Sequence, residues 1–413
     1  MEISQNLKII LIFIYFILII TIERFYCQVL FNKSLEIIPK FQESSKSFHL
    51  FWKFITFFGT KPGIGPIYII LFLFIPLNKV YVLTNLILFT GFVDHTLKVV
   101  YLQERPLWMN EKIDTGNLHA CGYGNPSGHS LSSTCLYLSF WYIISELINK
   151  NVINECTKKF LNYLILVFCI LIFGLIMTSR LYLGVHSLNQ IIFGCSLGLG
   201  IFLLFLPVLK VYKSSGVEFL NKQYSNRYKH SFLIMLCIIS FYIFYFSRND
   251  IEGVKEKPNW QKMCYDQKWS KLLIKGSFMG GMSMFIILGM NIGLLSSKAK
   301  IDKQFNSKDE IIINWTEETF ISRLIRLLLL LVGFCPVGII FLLNTFFDIS
   351  FIFYYILTPI LFFIGGFLTF GPCFFYGFKI TLNKFGNNEI ISLSNDNSNS
   401  NTNVVDFSNE IFN

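Results

Sequence analysis

Hydrophobic and polar positions fall into long blocks along this chain. Apolar runs occupy about residues 8–24, 66–78, 82–101, 129–148, 160–178, 188–209, 231–247, 273–295, 324–345 and 350–377, separated by charged or Gly/Pro-containing segments. A helix rises about 1.5 Å per residue, so roughly 20 apolar residues cross a hydrocarbon core. The pattern predicts an all-α polytopic transmembrane bundle of about ten spans. The first run, Lys8 followed by Ile9–Ile22, also fits a signal sequence, but no small-residue cleavage pattern follows, and it reads as an uncleaved anchor. Residues 48–58 are apolar yet too short to span, which suits an interfacial helix. Four regions result: an N-terminal anchor and interfacial segment (1–60), a transmembrane core (61–212), additional transmembrane helices (213–386) and an Asn/Ser-rich tail (387–413). The tail, rich in Asn and Ser, cannot bury a core and should be disordered.

Composition narrows the class. Of 413 residues, 53% are hydrophobic and 15% charged, whereas a soluble domain carries about 25% charged residues. Lys and Arg number 35 against 25 Asp and Glu, an excess that belongs in cytoplasmic loops facing anionic lipid rather than on nucleic acid. If every span crosses, loops 25–65, 101–128, 179–187 and 248–272 share one side. Loops 149–159, 210–230 and 297–323 share the other with both termini, and their basic character places them in the cytoplasm. The loop at 248–272 is basic too, and the sequons Asn32-Lys33-Ser34 and Asn314-Trp315-Thr316 fall on opposite sides. The ten cysteines form no Cys-x-x-Cys pair and Cys135, Cys169, Cys195, Cys237 and Cys335 lie inside apolar runs. They read as small buried hydrophobes, with neither a zinc site nor a disulfide framework expected.

Three polar clusters interrupt the apolar background, all on one face by the span count. The first is Lys98 with Arg105-Pro106; seven residues is close to two helical turns, so a helically continued Arg105 would share a face with Lys98. The second is Asn125-Pro126-Ser127-Gly128-His129, where Ser127 suits an N-cap, Gly128 admits a ligand to the backbone, and the free N–H groups of a helix start attract an anion. The third runs from Ser179-Arg180 to His186 and Gln190, which are four apart and stack if a helix begins there. The Gln190 amide oxygen can then accept from one ring nitrogen of His186 and leave the other as a nucleophile. Each cluster alone has a plainer reading: stop-transfer charge, a capped helix with an incidental His, an interfacial loop with a satisfied His. Together they supply three cations, a helix N-terminus, a hydroxyl and two imidazoles, which suits a phosphate dianion. No Asp/Glu cluster of metal-ligand spacing accompanies them. Nearby, Asp94 reads as a helix pair with Lys98, Trp108 as an aromatic at headgroup level, and His119 and Cys121 as local packing.

The pattern Lys98-x6-Arg105-Pro106, Pro126-Ser127-Gly128-His129 and Ser179-Arg180-x5-His186-x3-Gln190 resembles the three-part signature of the type-2 phosphatidic acid phosphatase superfamily. That superfamily includes glucose-6-phosphatases and vanadium haloperoxidases, and the resemblance covers about residues 60–210. It implies that His186 is the nucleophile forming a phosphohistidine, that His129 is the general acid, and that Lys98, Arg105, Ser127, Gly128 and Arg180 cradle the phosphate, with no metal or cofactor. Gln190 stands where most lipid phosphatases of the family have Asp; glucose-6-phosphatases and dolichyl diphosphate phosphatases are similar in carrying Gln. The implied activity is an integral membrane phosphatase acting on a lipid phosphomonoester, or a diphosphate: phosphatidate, a sphingoid base phosphate or a polyprenyl phosphate. A glucose-6-phosphatase-like sugar phosphatase is the alternative, and a catalytically silent lipid-binding relative or an anion transporter is the alternative of another class. The expected partners are the phosphorylated lipid or sugar phosphate and membrane lipids, not nucleic acid. The site should face the endoplasmic reticulum lumen or, at the plasma membrane, the cell exterior; oligomeric state stays open.

Overall fold

The computed structural model describes residues 5–75, 77–114, 120–150, 154–211, 227–246, 260, 278–304, 320–346 and 351–373. Every regular element among them is helical: α1 (Gln5–Ser44), α2 (His49–Phe57), α3 (Lys61–Phe74), α4 (Leu77–Tyr101), α5 (Pro106–Met109), α6 (Gly128–Lys150), α7 (Glu155–Tyr182), α8 (Leu188–Val211), α9 (Arg227–Phe246), α10 (Ser283–Gln304), α11 (Phe320–Gly333), α12 (Cys335–Phe346) and α13 (Phe351–Phe370). The tail at 387–413, His119, the second sequon and most of the loops 210–230 and 248–272 lie outside the described residues.

Seven helices among the described residues are long and apolar enough to cross a membrane: α1, α4, α6, α7, α8 and those covering Phe278–Ser297 and Phe353–Phe370. The chain is an all-α polytopic bundle. The other three expected spans differ for identifiable reasons. The run at 66–78 yields α3, of 14 residues, and that at 231–247 yields a shorter apolar helix, His230–Phe244. The run at 324–345 splits between α11 and α12 at Phe334, because Pro336 has no N–H for the Val332 carbonyl and its ring crowds that carbonyl.

The first helix departs most from expectation. It continues past the apolar run to 40 residues, about 60 Å at 1.5 Å per residue, twice the thickness of a hydrocarbon core. It contains no glycine and a single proline, Pro39, so nothing stops it at Glu23-Arg24. Its outer half therefore runs alongside the loops rather than forming one. The short apolar segment expected at 48–58 forms the helix α2, with Leu50, Phe51, Phe54 and Phe57 exposed.

Close helix contacts set the core. Gly194 and Gly198 on α8 leave no room for a side chain, since a Cβ would lie 2.6 Å from Ser127 O and 2.5 Å from Leu131 O. This small-xxx-small spacing lets α8 press its backbone onto the start of α6, around a core of Leu86, Leu131, Cys135, Phe193, Leu197 and Ile201. Gly289 and Gly293 of α10 do the same against α13. A larger apolar core, including Val80, Met282, Met290, Tyr354 and Phe370, joins α4 to those two helices. Within it Lys79 of α4 pairs with Glu146 of α6 at 2.6 Å.

On the face that carries the three motifs, Ile38, Leu107, Trp108, Ile113, Cys121, Tyr182, Val185 and Trp260 form one cluster. Two expectations are corrected there. Trp108 is not a headgroup-level aromatic: it is 1% exposed, and its indole N–H donates to Ala120 O at 2.9 Å, which a buried indole requires. Cys121 is disulfide-bonded, whereas Cys27, Cys135, Cys156, Cys169, Cys195, Cys237, Cys335 and Cys373 are free. Trp260 caps the same loop, its indole donating to Cys121 O at 3.0 Å.

Candidate phosphate site

The first motif reaches the site by a turn, not by continued helix. Helix α4 ends at Tyr101, and Leu102 takes a left-handed conformation (φ 49) while its N–H still donates to Lys98 O at 3.1 Å. Arg105 is then extended (φ −97, ψ 148), as a residue before proline prefers. The helical continuation expected between Lys98 and Arg105 is thus overturned, and the two cations meet through the fold. Lys98 donates to Asp94 Oδ2 at 2.8 Å, the expected pair one turn apart. That carboxylate lies against Gly128, where a Cβ would be 2.6 Å from Asp94 Oδ2. The missing side chain at Gly128 therefore makes room for Asp94 beside the first turn of α6.

Arg105 is 8% exposed, and its fork is tied to backbone. Nε donates to Gly122 O at 2.5 Å, Nη1 to Val185 O at 2.8 Å and Nη2 to Tyr123 O at 3.2 Å. Nη1 also lies 3.2 Å from His186 Nε2. One guanidinium fastens the loop after α5 to the third motif, a task for which a lysine has too few fixed donors.

The second motif begins α6. Ser127 is fully buried, its Oγ receives the Ser130 N–H at 3.4 Å, and its own N–H donates to Gln190 O at 3.0 Å. Ser127 therefore caps α6 and ties it to α8. His129 follows in the first turn, and its Nε2 is buried with no hydrogen-bond partner among the described residues.

The third motif is shaped by a glycine. Gly184, with φ 65, takes the left-handed turn that ends α7. It aims Val185 and His186 inward before α8 begins, and its carbonyl accepts the Leu107 N–H at 3.1 Å. His186 is 2% exposed, with Nδ1 3.0 Å from Gly124 O and 3.2 Å from Gln190 Oε1. Arg105 can only donate, so the nitrogen facing it, Nε2, carries the lone pair and Nδ1 the proton. Burial pushes His186 well below the usual histidine range, helped by the positive charges of Arg105, Arg180 and Lys98. The free imidazole is neutral, oriented, and presents Nε2.

Gln190 is fully buried and every part of its amide is used. Oε1 also accepts the Ser187 N–H at 3.3 Å, half of a capping box at the start of α8. Nε2 donates to Glu104 O at 2.7 Å and to Gln103 Oε1 at 3.3 Å. Arg180, in the last turn of α7, donates from Nη1 to Thr56 Oγ1 at 2.8 Å, while its Nε is buried without a partner among the described residues. The structure thus gathers Lys98, Arg105, Ser127, Gly128, His129, Arg180, His186 and Gln190 at one face. Among the described residues no group of three or more His, Cys, Asp and Glu could hold a metal ion.

Several supporting residues lie outside the motifs. Glu23, 1% exposed on α1, accepts from Asn125 Nδ2 at 2.8 Å. Ser34 Oγ accepts the Leu188 N–H at 2.9 Å, and Gln42 Nε2 donates to Tyr182 O at 2.9 Å. Helix α1 is therefore built into the site. One signal was available in the sequence, since a carboxylate in an apolar run is costly and marks a functional contact. Ser34, Gln42, Thr56 and Trp260 carry no comparable signal.

The family model described as PAP2 superfamily matches residues 79–213. The matched stretch runs from α4 through α8 and includes all eight motif residues. No curated protein and no solved structure matches the chain.

Proposed function

We propose that this membrane protein, whose residues 79–213 match the PAP2 superfamily, is a phosphatase of that superfamily that hydrolyses a lipid phosphomonoester through a phosphohistidine on His186. The observation that carries the reading is a buried, neutral imidazole whose Nε2 is 3.2 Å from Arg105 Nη1, with Lys98 and Arg180 also close enough to act on it electrostatically.

In this reading the substrate phosphate takes the place of Nε2 as partner to Arg105. Lys98, Arg180 and the remaining Arg105 N–H hold its equatorial oxygens together with the backbone N–H groups at the start of α6. Nε2 attacks phosphorus in line. The N–P bond forms as the P–O bond to the leaving group breaks, and His129 passes its proton to the departing alkoxide. His129 then takes a proton from water, whose oxygen attacks phosphorus; the P–N bond breaks, and inorganic phosphate leaves with His186 neutral again. Gln190 and Gly124 O keep the Nδ1 proton in place throughout. The side chains offer cationic donors rather than a carboxylate cluster, so we propose that no metal takes part.

A lipid is favoured because the site sits where α4, α6, α7 and α8 end, beside the exposed apolar face of α2. The headgroup can reach the cradle while the hydrocarbon stays in the bilayer. The disulfide at Cys121 supports an oxidising side for this face, which we propose is the endoplasmic reticulum lumen or the cell exterior. The test is phosphate release by purified protein in the presence of a chelator. Turnover of phosphatidate, a sphingoid base phosphate or polyprenyl phosphate should exceed that of glucose 6-phosphate, and 32P label should be trapped on His186 and lost in His186→Ala. Selective turnover of glucose 6-phosphate would instead make the protein a sugar phosphatase. Full turnover by His186→Ala would refute the mechanism.

A further inference from the structure

The turn that ends α2 lies far outside the family match, yet it touches both the acid and the cradle. Its backbone closes on itself, with Gly59 N donating to Thr56 O at 3.0 Å and Thr60 N to Phe57 O at 2.9 Å. Tyr137 OH of α6 donates to Phe58 O at 3.4 Å, and Ile55 and Phe58 pack with Tyr137, Cys169 and Ile176. Trp52 stacks on Tyr182 at 5.7 Å with 29° between the rings. The turn is thus held on α6 and α7. From it, Thr56 Oγ1 accepts from Arg180 Nη1 at 2.8 Å. A Cβ on Gly59 would fall 2.9 Å from His129 Cδ2 and 2.7 Å from Ile176 Cγ2. Ile176 is fully buried and has no room to yield.

In an in-line displacement the nucleophile and the leaving oxygen stand on opposite sides of phosphorus, so the residue that protonates the leaving oxygen marks the leaving-group end. On the reading above that residue is His129, and the Gly59 backbone flanks its ring. We propose that the turn Thr56–Thr60 is the leaving-group wall of the site. In this role Gly59 provides the clearance that keeps His129 aligned on the leaving alkoxide, and Thr56 positions Arg180 on the phosphate. The outer face of the same helix exposes Leu50, Phe51, Phe54 and Phe57, so the wall opens toward the bilayer, where an alkyl phosphate ester would carry its hydrocarbon.

The inference rests on the phosphatase reading, and the test separates the two. Purified full-length wild type, Gly59→Ala, Thr56→Val and Thr56→Ser are compared on phosphatidate, whose alkoxide must be protonated, and on p-nitrophenyl phosphate, whose leaving group departs without a proton. Orthovanadate inhibition reports the cradle alone. Because His129 also serves the later water step that both esters share, the comparison is made on phosphoenzyme formation in a single turnover: Gly59→Ala should slow that step on phosphatidate tenfold or more, while the same step on the aryl ester and vanadate inhibition stay within about twofold. Thr56→Val should weaken vanadate inhibition about tenfold and raise KM for both esters, and Thr56→Ser, which keeps the hydroxyl, should restore both. Equal slowing of phosphoenzyme formation from the two esters in Gly59→Ala, no slowing on either, or vanadate inhibition unmoved by Thr56→Val would each overturn the wall while leaving the phosphatase intact. A wild type that turns over neither ester would overturn both.

Discussion

Replacing Gln190 by Glu isolates the donating half of its amide. The change is nearly isosteric, and Oε1 can go on accepting from His186 Nδ1 and the Ser187 N–H, 3.2 and 3.3 Å away. What disappears is the NH2 group bonded to Glu104 O at 2.7 Å and Gln103 Oε1 at 3.3 Å; an oxygen replaces it against two oxygens at a fully buried position. Gln103 Oε1 keeps the Asn189 amide donor at 2.9 Å, so the loss falls on the bond to Glu104 O and costs about 1–3 kcal/mol, before the burial of the new charge. The introduced carboxylate can escape by taking up a proton, which restores one donor toward Glu104 O. Thermal unfolding of purified wild type and Gln190→Glu at about pH 8 should show a lower midpoint for the variant, with turnover falling in parallel. The lipid phosphatases that this motif resembles mostly carry Asp at this position, so the opposite expectation is a gain from the carboxylate. A variant as stable and as active as wild type at about pH 8 would refute the reasoning.

Three further outcomes follow from the same geometry. His186 is buried neutral with its pKa held below the unfolded value of about 6.5, so it supports stability above that pH and the support is lost as pH falls below it toward the folded value. The thermal midpoint of wild type should therefore drop more on acidification from about pH 7.5 to about pH 5 than that of His186→Gln, and equal slopes would contradict a buried neutral imidazole. Arg105→Lys removes the fork that donates to the carbonyls of Gly122, Tyr123 and Val185. It should lower kcat/KM on the lipid phosphate about a hundredfold or more, about 2.7 kcal/mol; a loss under fivefold would show that the fork is dispensable. Cys121→Ser removes the disulfide that anchors the loop gripped by Arg105 and should destabilise the protein by about 2–4 kcal/mol, read as a lower thermal midpoint that reductant reproduces in wild type but not in the variant.

The residues proposed to carry the chemistry stand out in the sequence because their types are costly in an apolar chain. Lysine, two arginines and two histidines at span ends need a partner, and their spacing within each motif is local. Helical periodicity likewise gave α6 its start at Gly128 and placed Gln190 one turn after His186. Where the chain leaves regular structure, local rules failed. Lys98 and Arg105 share a site through the left-handed Leu102 and an extended pre-proline residue, not through two turns of helix. Trp108 looked interfacial because sequence hydropathy cannot tell which side a loop packs against; in the fold it is sealed under Ala120, Trp260 and α1. Cys121 looked like a lone hydrophobe because a disulfide depends on proximity between distant segments.

The order and polarity of the chain determined that it is a helical membrane protein and which eight residues make up the proposed phosphate site, since hydrophobic run length and within-motif spacing are one-dimensional quantities. Only the tertiary structure decided how those side chains are held. The His186 tautomer is fixed by Arg105 on one side and Gly124 on the other, residues separated from it by 81 and 62 positions. Glu23, Ser34 and Gln42 of α1 brace the loops, and Thr56 and Gly59 stand against Arg180 and His129, because contact between remote segments is set by the packing of whole helices and leaves no periodic trace in the sequence.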